Sequence, residues 1–495
     1  MSASRASLLC LLLAACSSDN GGATPGAGGY GGAAAGASGV PVQPVGAAGG
    51  VPGGVGMATL GNGGSMPLPG SGGSTPFGNG GTVPGGGGTA QGVGGLVPGG
   101  GGMVPGGGGT VPGGGASNGG AGGGSGDPAK GCDSTTLLAG PANPSAHGPW
   151  PVGDKTVTVS RVGGVSFKVE VMYPATVGSD AGKQAIQWDL RDWLPASERS
   201  KVKDADAKSV SAGTFADLPF DTTHGPYPVI VLVHGTGAFR IASATSQATW
   251  ASHGFVVLAA DHPNLCLTDY LAFGCGMTVP ALDLSADVDA ELAAITAATG
   301  DFAFLAGHVD TKRVGLAGHS AGAWNVAQFS AKPGVQVIVP LSGTHAVAAS
   351  SSLKSVAFIG GMADTVLGYS AATGIGQALY PGSQTGAYTG SPGAPVKKRL
   401  MGITGGGHLA VTDLCQVNNA GKNPIQVSQA AGVCGIGLLP SLFDCGTVDR
   451  VTGITAVDDL STAVFEETLQ CQDMAATISA IKTRNTVIGD FQESK

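Results

Sequence analysis

The chain has 495 residues, of which 90 are glycine and only 11% are charged, and its formal net charge is −8. More than half of the glycines fall in the first 130 residues, and between Asp19 and Asp127 there is no Asp, Glu, Lys or Arg. Such a segment lacks the apolar side chains needed to offset conformational entropy, which excludes a folded domain there. The acidic balance argues against a nucleic-acid-binding surface and against a polybasic membrane patch.

The first 15 residues are typical of an export signal, because Arg5 precedes a short apolar run that ends in small residues. About ten apolar residues are too few to span a bilayer, which needs about 20. Leu13-Ala14-Ala15-Cys16 resembles the lipobox of bacterial lipoproteins. The resemblance implies export and a lipid anchor on Cys16 as the only membrane attachment. In the same resemblance, Ser17 favours the outer membrane or cell surface over the inner membrane. An ordinary secretory peptide is the alternative.

Residues 16–130 are expected to be a disordered tether rich in Gly, Pro and Ser. Val-Pro-Gly-Gly-Gly recurs at Val97, Val104 and Val111, but no apolar stripe accompanies the repeat, so it is not a coiled coil. The glycine content also excludes a helix. The segment is either a spacer with a typical reach of about 60 Å or low-complexity sequence with no selected length.

The cysteines of the remaining chain, residues 131–495, support an oxidising compartment. Cys266 and Cys275 are predicted to form a small loop-closing disulfide. Two further bridges among the other five would leave one thiol free, and the sequence leaves their pairing open: Cys132, Cys415, Cys434, Cys445 and Cys471. C-x-x-C and H-x-x-x-H spacings are missing, so neither a zinc site nor any other cofactor is expected.

From residue 150 onward the pattern alternates between strand and helix, which is typical of a doubly wound sheet. Residues 156–160 and 165–173 alternate apolar and polar side chains and predict an antiparallel pair at a sheet edge. Residues 176–226 interrupt the alternation. Short apolar runs bounded by Gly or Pro predict buried parallel strands at 228–233, 255–260, 313–317, 335–340, 356–359 and 398–403. Helices are predicted at 283–298 and 321–331, with a closing amphipathic helix at 456–484 that carries Cys471.

A G-x-S-x-G motif, Gly318 to Gly322, supplies a candidate nucleophile in Ser320. The pattern alone is weak evidence, since Gly115 to Gly119 in the tether also fits it. Ser320, however, follows a predicted strand and opens a predicted helix, where a sharp elbow would lift its hydroxyl above the sheet. A serine with a purely structural role at the turn is the alternative.

A serine needs a base to take its proton, and the base in turn needs an orienting acid. His408 lies in a glycine-rich loop directly after the last predicted strand and is the candidate base, with His345 as its rival. Asp364 follows the strand at 356–359 and is the candidate acid, so that the chain order is Ser, Asp, His. Asp413 is the alternative acid.

The tetrahedral oxyanion that forms when a serine attacks a carbonyl group needs hydrogen-bond donors, and backbone N–H groups at a tight turn supply them. His234-Gly235-Thr236-Gly237 follows the first central strand, so the N–H groups of Thr236 and Ala321 are the candidate donors. A tight glycine turn with no catalytic part is the alternative. Phe239, Trp324 and Met362 lie close to these groups in sequence and are candidates for an acyl pocket, although all three fit a core role equally well.

Five segments share a pattern with a known group of proteins: Gly148 to Gly153, Val169 to Pro174, Asp189 to Pro195, His234 to Gly237, and Val309-Asp310 leading into Gly318 to Gly322. Through these motifs most of residues 148–412 resembles the α/β-hydrolase fold, within the branch of platelet-activating-factor acetylhydrolases, dienelactone-hydrolase-like proteins and cutinase-like polyester hydrolases.

The resemblance implies a doubly wound, mostly parallel sheet with helices on both faces. It also implies a catalytic triad of Ser320, Asp364 and His408, with Thr236 and Ala321 as oxyanion donors. Three features depart from the family pattern. Ala323 replaces a usual glycine, the nucleophile is not the cysteine of dienelactone hydrolases, and the cysteine-containing extension at 415–495 has no counterpart in its region 415–445.

The sequence therefore predicts a lipid-anchored, metal-free serine hydrolase that cleaves small-molecule or polymeric carboxylic esters through an acyl-enzyme. A lipase or cutinase-like polyesterase acting on long-chain or insoluble esters is the first alternative. A non-catalytic binding module built on a hydrolase scaffold is the second, but such a module would not need a nucleophile, a base and an acid together.

Overall fold

The computed structural model describes residues 129–437 and 439–494. The export signal, the lipidation site Cys16 and the glycine-rich segment up to residue 128 lie outside the described residues, so their roles stay predictions. The first described element, Ala129–Lys130, already pairs with a second short strand, Thr136–Leu137, in a two-stranded antiparallel sheet.

Twelve strands, β1 to β12, are present in the described part of the chain. They are Ala129–Lys130, Thr136–Leu137, Val152–Ser160, Ser166–Pro174, Thr214–Ala216, Tyr227–Val233, Val256–Ala260, Val309–His319, Val335–Leu341, Ser355–Gly361, Lys397–Ile403 and Ile488–Ser494. Strands β3 to β12 form one sheet in the order β12-β11-β10-β9-β8-β6-β7-β4-β3-β5.

The six predicted central strands are confirmed as β6 to β11, and they run parallel to one another. The predicted antiparallel pair is β3 and β4, which joins the central strands through an antiparallel β4–β7 pairing. At the other edge β12 runs antiparallel to β11. The carboxyl ends of β6, β8, β10 and β11 therefore lie at the same end of the sheet. The predicted site residues come shortly after these strands in the sequence.

The α-helices, here α1 to α11, are Asp204–Ala207, Ala244–Ser252, Leu267–Gly274, Leu284–Ala297, Ala321–Val326, Gln384–Gly390, Pro424–Ala430, Leu439–Leu442, Arg450–Leu469, Ala475–Ser479 and Ile481–Arg484. They cover both faces of the sheet. In β6, Ile230 and Leu232 face the core that contains α2 and α9, whereas Val229 and Val231 face the core that contains α4. This alternation follows from the period of two along a strand, and it confirms the doubly wound α/β-hydrolase fold.

Two helix predictions need correction. The helix predicted at 456–484 is wrong, because α9 ends at Leu469 and α10 and α11 follow as separate short helices. Cys471 lies outside all three with a φ of 57°, a conformation that ends a right-handed helix. The helix predicted at 321–331 stops at Val326, after which Gln328 and Phe329 donate to carbonyl oxygens three residues back, as in tight turns.

The predicted disulfide between Cys266 and Cys275 is wrong. Cys275 pairs with Cys434, and Cys266 is a buried free thiol. The reason is helix α3, which lies between the two cysteines with Cys266 before its first residue and Cys275 after its last. Eight helical residues separate their ends by about 12 Å, whereas a disulfide needs its Cα atoms within about 7 Å.

The other bridges join Cys132 to Cys471 and Cys415 to Cys445. Three disulfides are typical of proteins that fold outside the reducing cytosol, which indicates an exported protein. In the described part of the chain, every helix is too short or too polar to cross a membrane.

Candidate active site

Ser320 lies on a sharp turn between β8, which ends at His319, and α5, which begins at Ala321. Its backbone has φ 54° and ψ −115°, a conformation that L residues rarely adopt. The turn needs glycine on either side. A Cβ on Gly318 would lie 2.6 Å from the carbonyl carbon of Gly322, and a Cβ on Gly322 would collide with the carbonyl oxygen of Val233. The motif therefore forms the predicted elbow.

The three predicted triad side chains meet in one hydrogen-bonded chain. His408 Nε2 lies 2.9 Å from Ser320 Oγ, and His408 Nδ1 lies 2.9 Å from Asp364 Oδ2. Because a carboxylate only accepts, the ring donates its Nδ1–H to Asp364 and leaves Nε2 free to accept from the Ser320 hydroxyl. All three residues are buried, so little water competes for these bonds.

The Asp364 carboxylate is held by donors on both of its oxygens. Oδ1 accepts from the backbone N–H groups of Val366 and Leu367, each at 2.8 Å. Oδ2 accepts from Gln384 Nε2 at 3.0 Å in addition to the bond from His408. These contacts fix the plane of the carboxylate and aim one oxygen at the imidazole.

The backbone at His408 is fixed by two further side chains. Its carbonyl oxygen accepts from His319 Nε2 and from Ser342 Oγ, both at 3.1 Å. Burial, together with the nearby ring of His408, lowers the pKa of His319 to about 3, so His319 is neutral and donates through Nε2. His319 thus ties the nucleophile elbow to the loop that carries the base.

The two alternative residues lie in other environments. Asp413 accepts from the backbone and hydroxyl of Thr245 and pairs with Arg450 at 2.6 Å. His345 bonds through Nδ1 to the carbonyl oxygen of Ala346, and its ring packs on Trp324. The structure therefore brings Asp364 and His408, and not these rivals, to Ser320.

The loop after β6 lies directly against the elbow. A Cβ on Gly235 would come within 3.0 Å of Ser320 Cβ. Thr236 is the next residue, and among the described residues neither its N–H nor that of Ala321 donates to a hydrogen bond. Both amide donors are therefore free, and their part in holding an oxyanion stays a prediction.

Buried polar contacts hold this loop in place. Burial and the neighbouring His262 lower the pKa of His234 to about 3. The neutral His234 ring accepts from the backbone N–H of His262 at 3.3 Å and donates to the carbonyl oxygen of Gly235 at 2.8 Å. Further along, the Arg240 guanidinium pairs with Glu170 at 2.6 Å and also with Asp261.

The three candidate pocket residues lie in different surroundings. Phe239 is buried and stacks on Trp193 with ring centroids 4.8 Å apart. Trp324 is half-buried and contacts the rings of His345 and Tyr380. Met362 is 41% exposed and packs near Gly402, in β11. Their part in acyl binding stays a prediction.

Sequence reasoning missed three residues that support the site: Gln384, Ser342 and Asp444. Gln384 lies in α6, Ser342 in the turn after β9, and Asp444 in the cysteine-containing extension. Folding brings these distant segments into contact with the triad. No motif marked them. In the described part of the chain, His, Cys, Asp and Glu side chains form no cluster that could hold a metal ion.

The sheet topology and the grouping of these side chains place the protein in the α/β-hydrolase fold class. Residues 140–270 match the family described as platelet-activating factor acetylhydrolase, isoform II. That match spans β3 to the first part of α3 and includes Thr236, but ends before Ser320.

Among solved structures, the chain is similar to a ferulic acid esterase from Streptomyces cinnamoneus, with 19% sequence identity and a TM-score of 0.42. The similarity covers 66% of this chain and 92% of that one. The search of curated proteins gave no match.

Proposed function

We propose that the protein is a serine esterase that cleaves carboxylic esters through an acyl-enzyme on Ser320. The observation that carries the proposal is the hydrogen-bonded chain from Ser320 Oγ through His408 to Asp364, with both links at 2.9 Å. Those are the distances that proton transfer between a nucleophile, a base and an orienting acid requires.

In the proposed mechanism Ser320 Oγ attacks the ester carbonyl carbon while His408 Nε2 takes the hydroxyl proton. The N–H groups of Thr236 and Ala321 hold the resulting oxyanion, and Asp364 stabilises the imidazolium through Nδ1–H. When the tetrahedral intermediate collapses, the alcohol leaves with the proton from His408. A water molecule, deprotonated by His408, then attacks the acyl group and restores the serine.

Export of the enzyme is supported by the disulfides, and we further propose that Cys16 is lipidated, which would anchor the enzyme to the outer membrane or cell surface. Acyl chains contribute about 0.8 kcal/mol per buried CH₂, and stable anchoring takes two signals, such as dual acylation. The long segment between Cys16 and β1 would then separate the catalytic domain from the membrane, so that ester substrates outside the cell reach Ser320.

The purified protein is expected to hydrolyse p-nitrophenyl acetate and to react with a fluorophosphonate probe, which phosphonylates activated serines. The probe should lose fluoride and add one phosphonyl group per chain, on the peptide that contains Ser320, as mass spectrometry would detect. Ester turnover with no adduct on that peptide would contradict the serine mechanism. The absence of turnover on any ester would contradict the esterase activity.

A further inference from the structure

A short segment of the cysteine-containing extension runs beside the loop that carries His408. We call residues 444–447 the strap and residues 404–409 the base loop. Their backbones pair in an antiparallel fashion, with a bridge between Gly406 and Gly446. Their backbone hydrogen bonds are Leu409 N to Asp444 O at 2.8 Å, Gly407 N to Cys445 O at 3.3 Å, and Thr447 N to Gly405 O at 2.8 Å.

The strap is held at a fixed distance from the base loop. Cys445 forms a disulfide with Cys415. Cys415 is the last residue of a 3-10 turn that comes shortly after the base loop in the sequence. No free space remains between Gly407 and the strap. A Cβ on Gly407 would collide with Asp444 Oδ1 and lie 2.5 Å from the backbone nitrogen of Gly446. The strap therefore contacts the base loop at van der Waals distance and is covalently tied beside it.

The Asp444 carboxylate bonds to both catalytic loops at once. Oδ2 accepts from the backbone N–H and the hydroxyl of Thr365, each at 2.8 Å, and from the backbone N–H of His408 at 3.4 Å. Thr365 directly follows Asp364. Oδ1 accepts from the N–H of Gly446, within the strap. One side chain thus links the residue after the acid to the residue that is the base.

The charge state of Asp444 suits this arrangement. Partial burial raises the pKa of Asp444, but the donors from Thr365, Gly446 and His408 outweigh it and hold the pKa below its ordinary value. The group is therefore ionised at neutral pH, and hydrogen bonds to an ionised acceptor are stronger than those between neutral groups.

We propose that Asp444 is a positioning residue for ester hydrolysis, which sets the spacing between the Asp364 loop and the base loop and thereby keeps the His408–Asp364 bond aligned. Its carboxylate forms no hydrogen bond to Ser320 and acts through the backbones of Thr365 and His408 and the Thr365 hydroxyl. The inference rests on the proposed function. It assigns a catalytic purpose to a cysteine-containing extension for which the family resemblance offers no counterpart.

The test compares Asp444→Asn with Asp449→Asn. Asparagine at position 444 keeps one acceptor oxygen but replaces the other with an NH₂ group, which would face hydrogen-bond donors and repel them. Asp449 lies in the same extension and bonds in a similar way, accepting from the backbone and hydroxyl of Thr452 at the start of α9, but does not contact the catalytic loops.

Asp444→Asn should lower kcat for p-nitrophenyl acetate about 10- to 100-fold and leave KM within about twofold, since a misplacement of about 1 Å costs on the order of 100-fold. Asp449→Asn should lower the melting temperature with kcat unchanged. A folded Asp444→Asn variant with wild-type kcat, or one that changes only KM, would overturn the proposal.

If Asp444→Asn does not fold, Thr365→Val and Thr452→Val provide the comparison. The first removes the hydroxyl that donates to Asp444, and the second removes the hydroxyl that donates to Asp449. Thr365→Val should lower kcat by about threefold, while Thr452→Val leaves it unchanged; equal kcat values would overturn the role of Asp444. These outcomes are separate from failure of the proposed function, which would show as a wild-type protein that neither turns over esters nor takes the fluorophosphonate.

Discussion

Ser320→Ala is expected to lower kcat for p-nitrophenyl acetate by on the order of 10⁶-fold, because the nucleophile and the proton that His408 accepts are both removed. The fold should not change, since alanine fits wherever serine fits and the Ser320 N–H that donates to the carbonyl oxygen of Leu341 stays in place. The residual rate should come from the oxyanion donors and from substrate binding alone.

The matched control is Ser330→Ala, which removes another buried serine hydroxyl, one without a hydrogen-bond partner among the described residues. Its kcat and melting temperature should equal those of the wild type. Equal rates for Ser320→Ala and wild type would contradict the assignment of the nucleophile.

Asp364→Asn is expected to lower kcat by about 10⁴-fold while the protein stays folded. The amide oxygen of Asn would take the Oδ1 position, where the N–H groups of Val366 and Leu367 point. The NH₂ group would then face His408 Nδ1 and force that nitrogen to accept. His408 would carry its proton on Nε2, towards Ser320, and could no longer act as the base.

Asp413→Asn is the control for this variant, because Asp413 is the other acid that the sequence offers. Its bonds run to Thr245 and Arg450, so the change should lower the melting temperature and leave kcat within about twofold of wild type. Measured kcat values in which Asp413→Asn loses activity and Asp364→Asn does not would reverse the assignment of the acid.

The sheet could be predicted from the sequence because its central strands are continuous apolar runs bounded by Gly or Pro. The elbow could be predicted because Gly318, Ser320 and Gly322 stand between such a run and a helix. Strand β12 could not be predicted, since Asp490 and Glu493 interrupt it and it forms an edge of the sheet, where charged side chains are usual.

The contacts that support the site could not be predicted for a different reason. Gln384 and Asp444 lie 20 and 36 residues from the triad members that they contact, and the packing of the loops and short helices between them decides where they arrive. The disulfides pose the same problem, because Cys132 and Cys471 are separated by 339 residues. Local patterns predict elements and the residues at their ends, whereas these contacts depend on how separate loops pack.

In the proposed mechanism, Ser320 and His408 act as one unit in a proton transfer. The most direct test measures kcat for p-nitrophenyl acetate in Ser320→Ala, in His408→Ala and in the double variant. The double variant should be no more than about threefold slower than either single variant, because each single change already disables the unit. Losses that multiply in the double variant would show that the two residues act independently, and would rule out a shared proton transfer.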